Sequence, residues 1–208
     1  MDNSTALFPT AYFPSIALMA AMVQTGDIVI EQQETFPKQT HRNRTVIITA
    51  NGAMTLSVPV VRPNGTHTLT TDIAISYAEH WNLIHWRALE AAYNSSPYFL
   101  YYRDGIEKLL MQRYDRLIEL NEAILEHLFA KLKTQHSITY TNDYRKPCGE
   151  PNDFRDRFSY KHPERLPECP KYEQVFSDRM PFDSNVGILD LLFNLGPESK
   201  DYLLKIEL

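Results

Sequence analysis

Phe13-Pro14-Ser15-Ile16-Ala17-Leu18-Met19-Ala20-Ala21-Met22-Val23-Gln24-Thr25-Gly26-Asp27-Ile28-Val29-Ile30-Glu31 is the stretch that decides the fold class. Phe13-Pro14-Ser15 reads as a helix entry, and the Ala- and Met-rich run after it favours the helical state. Gly26 is placed to end that helix. Asp27–Glu31 then sets three β-branched residues between two acids, the pattern of a buried strand. With a further element beginning near Thr10, the segment predicts a βαβ-like opening, and α/β folds bind ligands at the ends of such strands.

Outward from there the chain divides by pattern. Thr45–Thr49 and Thr55–Val60 flank Ala50-Asn51-Gly52-Ala53, and Asn-Gly between β-rich runs predicts a hairpin. A turn at Pro63-Asn64-Gly65 leads into Leu69–Ser76, so residues 45–76 read as an antiparallel meander. From Glu79 the period becomes helical, with Trp81, His85, Ala88 and Ala92 on one face and Leu117, Leu120, Ile124, Leu128 and Leu132 on another. Between them Ser96 is a candidate N-cap, with Pro97 at the first helical position. Six prolines (147, 151, 163, 167, 170 and 181) exclude long elements from 135–184. Tyrosines and arginines make that region an ordered wrap over a site rather than simple disorder. Val186–Leu195 closes as an apolar helix before Gly196-Pro197, with an amphipathic Glu198–Ile206 after it. The expected architecture is mixed α/β in a single domain over 1–208. Residues 1–78 are mostly β with one helix, 79–133 helical, 134–184 irregular, and 185–208 helical again.

The chemistry sits unevenly along this frame. Lys38-Gln39-Thr40-His41-Arg42-Asn43-Arg44 holds three cations and a histidine without an acid, in a chain with 26 Asp and Glu against 21 Lys and Arg. Arginine forks bind phosphate bidentately and a lysine adds a point charge, so the stretch reads as an anion site. A solvated basic loop is the competing reading. His80-Trp81-Asn82-Leu83-Ile84-His85-Trp86 is the second constellation: His85 could move a proton and Trp86 could stack on a base or sugar, against the alternative of a buried aromatic anchor. Asp27 and Glu31 are the carboxylates that could work with them, and a salt bridge from Glu31 to Arg42 or Arg44 is the structural alternative.

Much else is excluded. A net charge of −5 argues against general nucleic-acid binding, which leaves an RNA-binding role for Arg42, Arg44 and Trp86 as a weak third reading. Walker, Gly-x-Gly-x-x-Gly, His-Glu-x-x-His and Gly-x-Ser-x-Gly signatures are missing, and seven glycines are too few for a glycine-rich phosphate cradle. Cys148 and Cys169 give no disulfide framework; with His162 they could be imagined around a metal, but free thiols are the expectation. No metal and no cofactor are predicted. Ile16–Val23 is too short to span a bilayer and lacks a basic leader, so the expected location is cytoplasmic.

Tyr12-Phe13-Pro14-Ser15, Asp27–Glu31, Lys38, Arg42-Asn43-Arg44 and Leu56-Ser57-Val58-Pro59-Val60 together resemble the WbqC-like family of bacterial proteins. So do Trp81, His85, Tyr93, Pro97-Tyr98-Phe99, Tyr172–Phe176 and Ile188–Pro197. Ser15 stands where that family has an aromatic, Glu31 where an aspartate is common, and the middle region is shorter than in longer members. The resemblance implies a place in O-antigen or other surface-polysaccharide, or nucleotide-sugar, metabolism. The leading expectation is an enzyme, a transferase acting on a phosphorylated sugar or nucleotide-sugar. Lys38, His41, Arg42, Asn43, Arg44, Tyr12 and Trp86 would bind substrate, and His85, Glu31 and Asp27 would carry the chemistry. The alternative is a non-catalytic partner of a polysaccharide machine, with the wrap 135–184 and the apolar C-terminal helix as its contact surface; a homodimer or a polysaccharide-pathway protein is the expected partner.

Overall fold

The computed structural model describes residues 5–38, 40–144, 146, 152–158 and 166–208. Cys148 and His162 lie outside the described residues. The fold is mixed α/β. Strand β1 (Ala6–Pro9), helix α1 (Ile16–Gln24) and strand β2 (Asp27–Glu31) form the βαβ opening, with β1 and β2 parallel and Leu7 opposite Val29. The first strand therefore ends where the sequence pattern would have begun it. Ser15 caps α1 by accepting from Leu18 N (3.3 Å), and every residue from Ile16 to Val23 is buried. The helix ends at Gln24, which puts Gly26 directly after the capping residue, where a stop glycine is expected. Thr25 caps it in an extended conformation, and its hydroxyl donates to Ala21 O (2.8 Å).

The hairpin is β3 (Arg44–Thr49) with β4 (Gly52–Ser57), pairing Thr49 with Gly52. Among the described loop residues only Gly52 takes a positive φ (+105°), because the Thr49 hydroxyl bridges Asn51 N and Gly52 O and holds the rest of the turn in ordinary backbone space. The predicted continuous meander is instead two separate pairs. After Val58-Pro59, β5 (Val60–Val61) pairs only with β6 (Ala74–Ile75), and single 3₁₀ turns occupy the chain between them.

Helices α2 (Trp81–Tyr93), α3 (Phe99–Met111) and α4 (Leu117–Leu132) follow. Ser96 does not cap α3. Its hydroxyl donates back to Tyr93 O (2.7 Å), closing α2, and Tyr98 precedes the first turn of α3. The wrap departs from expectation at its start. Ser137–Tyr140 is strand β7, parallel to β2, so the main sheet has the order β1-β2-β7. A fourth extended segment joins its outer edge: Asp153 bridges Leu7 in parallel, through Leu7 N to Asn152 O (2.9 Å) and Phe154 N to Leu7 O (2.8 Å). Helices α5 (Ile188–Leu195) and α6 (Ser199–Leu204) complete the chain and pack on α1. No helix among the described residues is long and apolar enough to cross a membrane.

One contiguous apolar core runs through these elements. Because strand side chains alternate, Ala6, Phe8, Ile28 and Ile30 share one face of the parallel sheet, and all four are buried. Ile30 and Tyr140 face a small gap bounded by Met22 of α1 and Leu125 of α4, so the helices cover that side. Leu7, Val29, Thr139 and Asp153 fall on the other face, and one pleat further along it come Glu31, Thr141 and Arg155.

Candidate functional site

The other face of the parallel sheet carries a polar cavity of about 470 Å³ that runs from the start of β1 to the C-terminal ends of β2 and β7, lined by Thr5, Ala6, Leu7, Val29, Glu31, Thr141, Asp143, Lys146, Asn152, Asp153 and Arg155 among others. Glu31, the last residue of β2, is fully buried there. One of its oxygens accepts from Gln33 N and the Thr141 hydroxyl (2.7 Å each), and the other from Arg155 Nη1 (3.1 Å). Arg155 turns its Nε and Nη2 on Asp153, at 2.9 and 2.6 Å. Burial pushes the Asp153 carboxyl up, but the hydrogen bonds and charge of Arg155 outweigh it and hold the group below its ordinary value. The Asp153 hydrogen bonds likewise keep Arg155 protonated. One guanidinium thus bridges two carboxylates, the geometry that makes a buried arginine tolerable.

Two charged groups at the cavity are not used this way. Asp143 and Lys146 are exposed, and neither has a hydrogen bond or ion pair among the described residues. Tyr144 borders them, its ring 5.9 Å from the Arg155 guanidinium carbon. The cavity therefore offers hydrogen-bonding side chains, a carboxylate and an ammonium with no partner among the described residues, which is the equipment for a small polar ligand.

Of the residues singled out by sequence, Glu31 alone lines this cavity. Asp27 is exposed at the opposite end of β2, about 13 Å away by strand rise, so the two carboxylates do not converge. The Lys38–Arg44 stretch forms the loop between β2 and β3 and does not act as one cation cluster. Arg42 is buried in a two-pronged pair with Glu34, with Nη2 to Oε2 at 2.8 Å. Burial raises the Glu34 pKa against the opposing pull of Arg42. The bridge expected from Glu31 to Arg42 or Arg44 is therefore not formed: Glu34, eight residues before Arg42, takes that arginine, and Glu31 pairs with Arg155. His41 is buried with Nε2 on the Phe158 carbonyl, and burial lowers its pKa to about 4. Asn43 is buried and donates to Val58 O (2.9 Å), while Lys38 is exposed. Arg44 differs from its neighbours: it is half-buried, its Nε is shielded, and it has no hydrogen bond or ion pair among the described residues.

Tyr12 and His85 form a second centre. The Tyr12 hydroxyl meets His85 Nδ1 at 2.8 Å, and Trp81 packs edge-on against both rings. Burial lowers the His85 pKa to about 4, with a Ser57 backbone interaction pulling the other way. A neutral ring that gives its Nε2 proton to the Ser57 carbonyl leaves Nδ1 to accept from the phenol. Next to Tyr12, Phe13 takes a φ of +42°, a strained value for a bulky residue. Tyr12 N on His41 O (2.9 Å), the Thr45 hydroxyl on Phe13 O (2.9 Å) and Ile188 N on Pro14 O (2.8 Å) fix that bend. Trp86 is buried on another side of α2, stacked on Phe99 and covered by Arg103. Among the described residues no group of His, Cys, Asp and Glu has the arrangement of a metal site.

Sequence reading missed Arg155, Asp153, Thr141 and Lys146. The signal available was Ser137-Ile138-Thr139-Tyr140-Thr141, whose alternation marks a strand and places Thr141 on the same face as Thr139.

Comparison with known proteins bears on this centre. No solved structure matches the chain significantly. The uncharacterized protein Rv1507c of Mycobacterium tuberculosis is 23% identical over 97% of both chains. The profile of the WbqC-like protein family matches residues 10–157, which run from the bend after β1 through the Asp153–Arg155 segment. That match takes in Glu31, Thr141 and Arg155 as well as Tyr12 and His85, and over so much of its length this chain belongs to the WbqC-like protein family.

Proposed function

We propose that this chain is an enzyme of bacterial surface-polysaccharide or nucleotide-sugar metabolism, a transferase that takes a phosphorylated sugar or nucleotide-sugar into the cavity over the parallel sheet. The observation that carries the reading is the Glu31–Arg155–Asp153 bridge, flanked by groups left free at the strand ends where α/β proteins bind ligands. Membership of the WbqC-like family supports the pathway. In this reading Lys146 faces the phosphate and Thr141, Asn142 and Asn152 hydrogen-bond ring hydroxyls. Glu31 and Asp153 hold Arg155 rigid beside them. Tyr12 and His85 act by positioning the Lys38–Arg44 loop through Tyr12 N and His41 O. Asp27 and Trp86 take no part.

A thermal-shift panel of glucose 1-phosphate, UDP-glucose, dTDP-glucose and GDP-mannose tests it. A ligand at a hundred times its Kd stabilises the fold by about 2.7 kcal/mol. At least one ligand should do so, and Asn152→Ala should weaken the shift. No shift with any of them, or equal shifts in wild type and variant, overturns the reading.

A partner-protein role is the second reading. Leu100 and Tyr101, 67% and 78% exposed on the first turn of α3, and Ile84 on α2 favour it as uncovered apolar surface. Light scattering of wild type against Leu100→Ser and Tyr101→Ser would reveal self-association through that surface.

A further inference from the structure

The ion pairs around the cavity sort its charged groups. Glu31 and Asp153 are both ion-paired with the one guanidinium of Arg155, a trio that keeps one net negative charge, which leaves Asp143 and Lys146 as the lining charges with no partner among the described residues. They are opposite in sign and three residues apart in sequence. A site for a bare phosphate or diphosphate needs surplus positive charge. This lining instead holds three acids, Glu31, Asp143 and Asp153, against two bases, Lys146 and Arg155. A ligand carrying only negative charge meets one free ammonium and one free carboxylate that repels it. A ligand carrying both signs satisfies both.

We propose that the cavity takes an amino-sugar phosphate, with its ammonium on Asp143 and its phosphate on Lys146. This rests on the phosphorylated-sugar reading above and narrows its substrate class. A carboxylate only accepts hydrogen bonds, and its bond to an ammonium is charge-assisted, so it prefers an amine to a hydroxyl at the same ring position. Acetylating the amine removes the charge and adds bulk, so the N-acetyl sugar loses that preference. Thr141, Asn142 and Asn152 supply neutral donors and acceptors for the remaining ring hydroxyls. The same pair of charges would also suit a free amino acid, whose carboxylate and ammonium are closer together. The size of the cavity favours the larger molecule.

Isothermal titration calorimetry at low ionic strength separates the cases, with glucosamine 1-phosphate, glucose 1-phosphate, N-acetylglucosamine 1-phosphate and L-alanine as probes. Asp143 and Lys146 are exposed, so Asp143→Asn and Lys146→Gln should fold as the wild type does. Wild type should bind glucosamine 1-phosphate about fivefold more tightly than either neutral-ring sugar, the size expected of an exposed charge pair. Asp143→Asn should abolish that preference without weakening glucose 1-phosphate. Lys146→Gln should weaken all three sugars and leave their order intact. Equal affinities in wild type, a preference that survives Asp143→Asn, or L-alanine binding as tightly as glucosamine 1-phosphate overturns the proposal. If glucose 1-phosphate binds and responds to Lys146→Gln with no amine preference, only this narrowing fails. If no sugar phosphate binds, the broader reading fails with it.

Discussion

Acid should destabilise this protein well above the range where carboxylates titrate, and His85 should account for a measurable share. Burial lowers the His85 pKa from 6.5 to about 4, and that of His41 by the same amount. Both are therefore neutral in the folded state near neutral pH, while the unfolded chain takes up protons on them below about pH 6.5. Their contribution is complete above the unfolded value and is lost as pH falls from 6.5 toward 4. A shift of that size corresponds to about 3 kcal/mol per histidine over the full window, of which about 2 kcal/mol falls between pH 7 and pH 5. Glu34 and Asp190 oppose the trend, because burial raises their pKa values and protonation relieves the folded state first. The total slope is thus smaller than the histidines alone would give, and the informative quantity is a difference. Urea unfolding of wild type and His85→Gln at pH 7 and pH 5 measures it. Glutamine keeps a donor and an acceptor between Tyr12 and Ser57, and should cost about 1–3 kcal/mol at pH 7 where its reach is imperfect. Its stability should then fall by about 2 kcal/mol less than that of wild type on going to pH 5. Parallel losses in the two proteins would refute the buried, neutral histidine.

Glu31→Gln should destabilise by about 3 kcal/mol, since it leaves Arg155 facing an amide in a buried pair, and chemical denaturation would register it. Asp190 accepts from the hydroxyls of Tyr93 (2.9 Å) and Tyr172 (2.6 Å) and from Gln174 (2.9 Å), pinning the wrap to α5 and α2. Asp190→Asn turns one acceptor into a donor and should cost about 2 kcal/mol, with faster proteolysis of residues 170–186 as the direct readout. Gly187→Ala should cost about 1–3 kcal/mol in melting experiments, because its new Cβ would lie 2.2 Å from the Thr45 hydroxyl and 3.2 Å from Val46 O.

The parts of the fold legible in sequence were those with strong local signals. Ile16–Val23 and Asp27–Glu31 carry their own period and flanking residues, and the hairpin carries Asn51-Gly52. β5 and β6, at two residues each, have no period to read, and their separation from the β3–β4 hairpin depends on long-range packing. The site was legible only at Glu31. Its partner Arg155 lies 124 residues away, and nothing local marks that arginine as the one brought to the end of β2. The basic loop misled for the same reason. Seven residues free of acid look like an anion clamp until Glu34, which precedes them in the chain, is seen to hold Arg42. Burial decided the histidine as well: spacing put His85 beside Trp81, and only the surrounding core shows that it is shielded from solvent.

A crystal structure soaked with glucose 1-phosphate measures directly where a phosphorylated sugar binds. Density over the parallel sheet, with the phosphate near Lys146 and the ring near Thr141 and Asn152, is the predicted result. Density at Arg44 or along the Lys38–Arg44 loop, with the cavity beside Glu31 and Arg155 left empty, would contradict it.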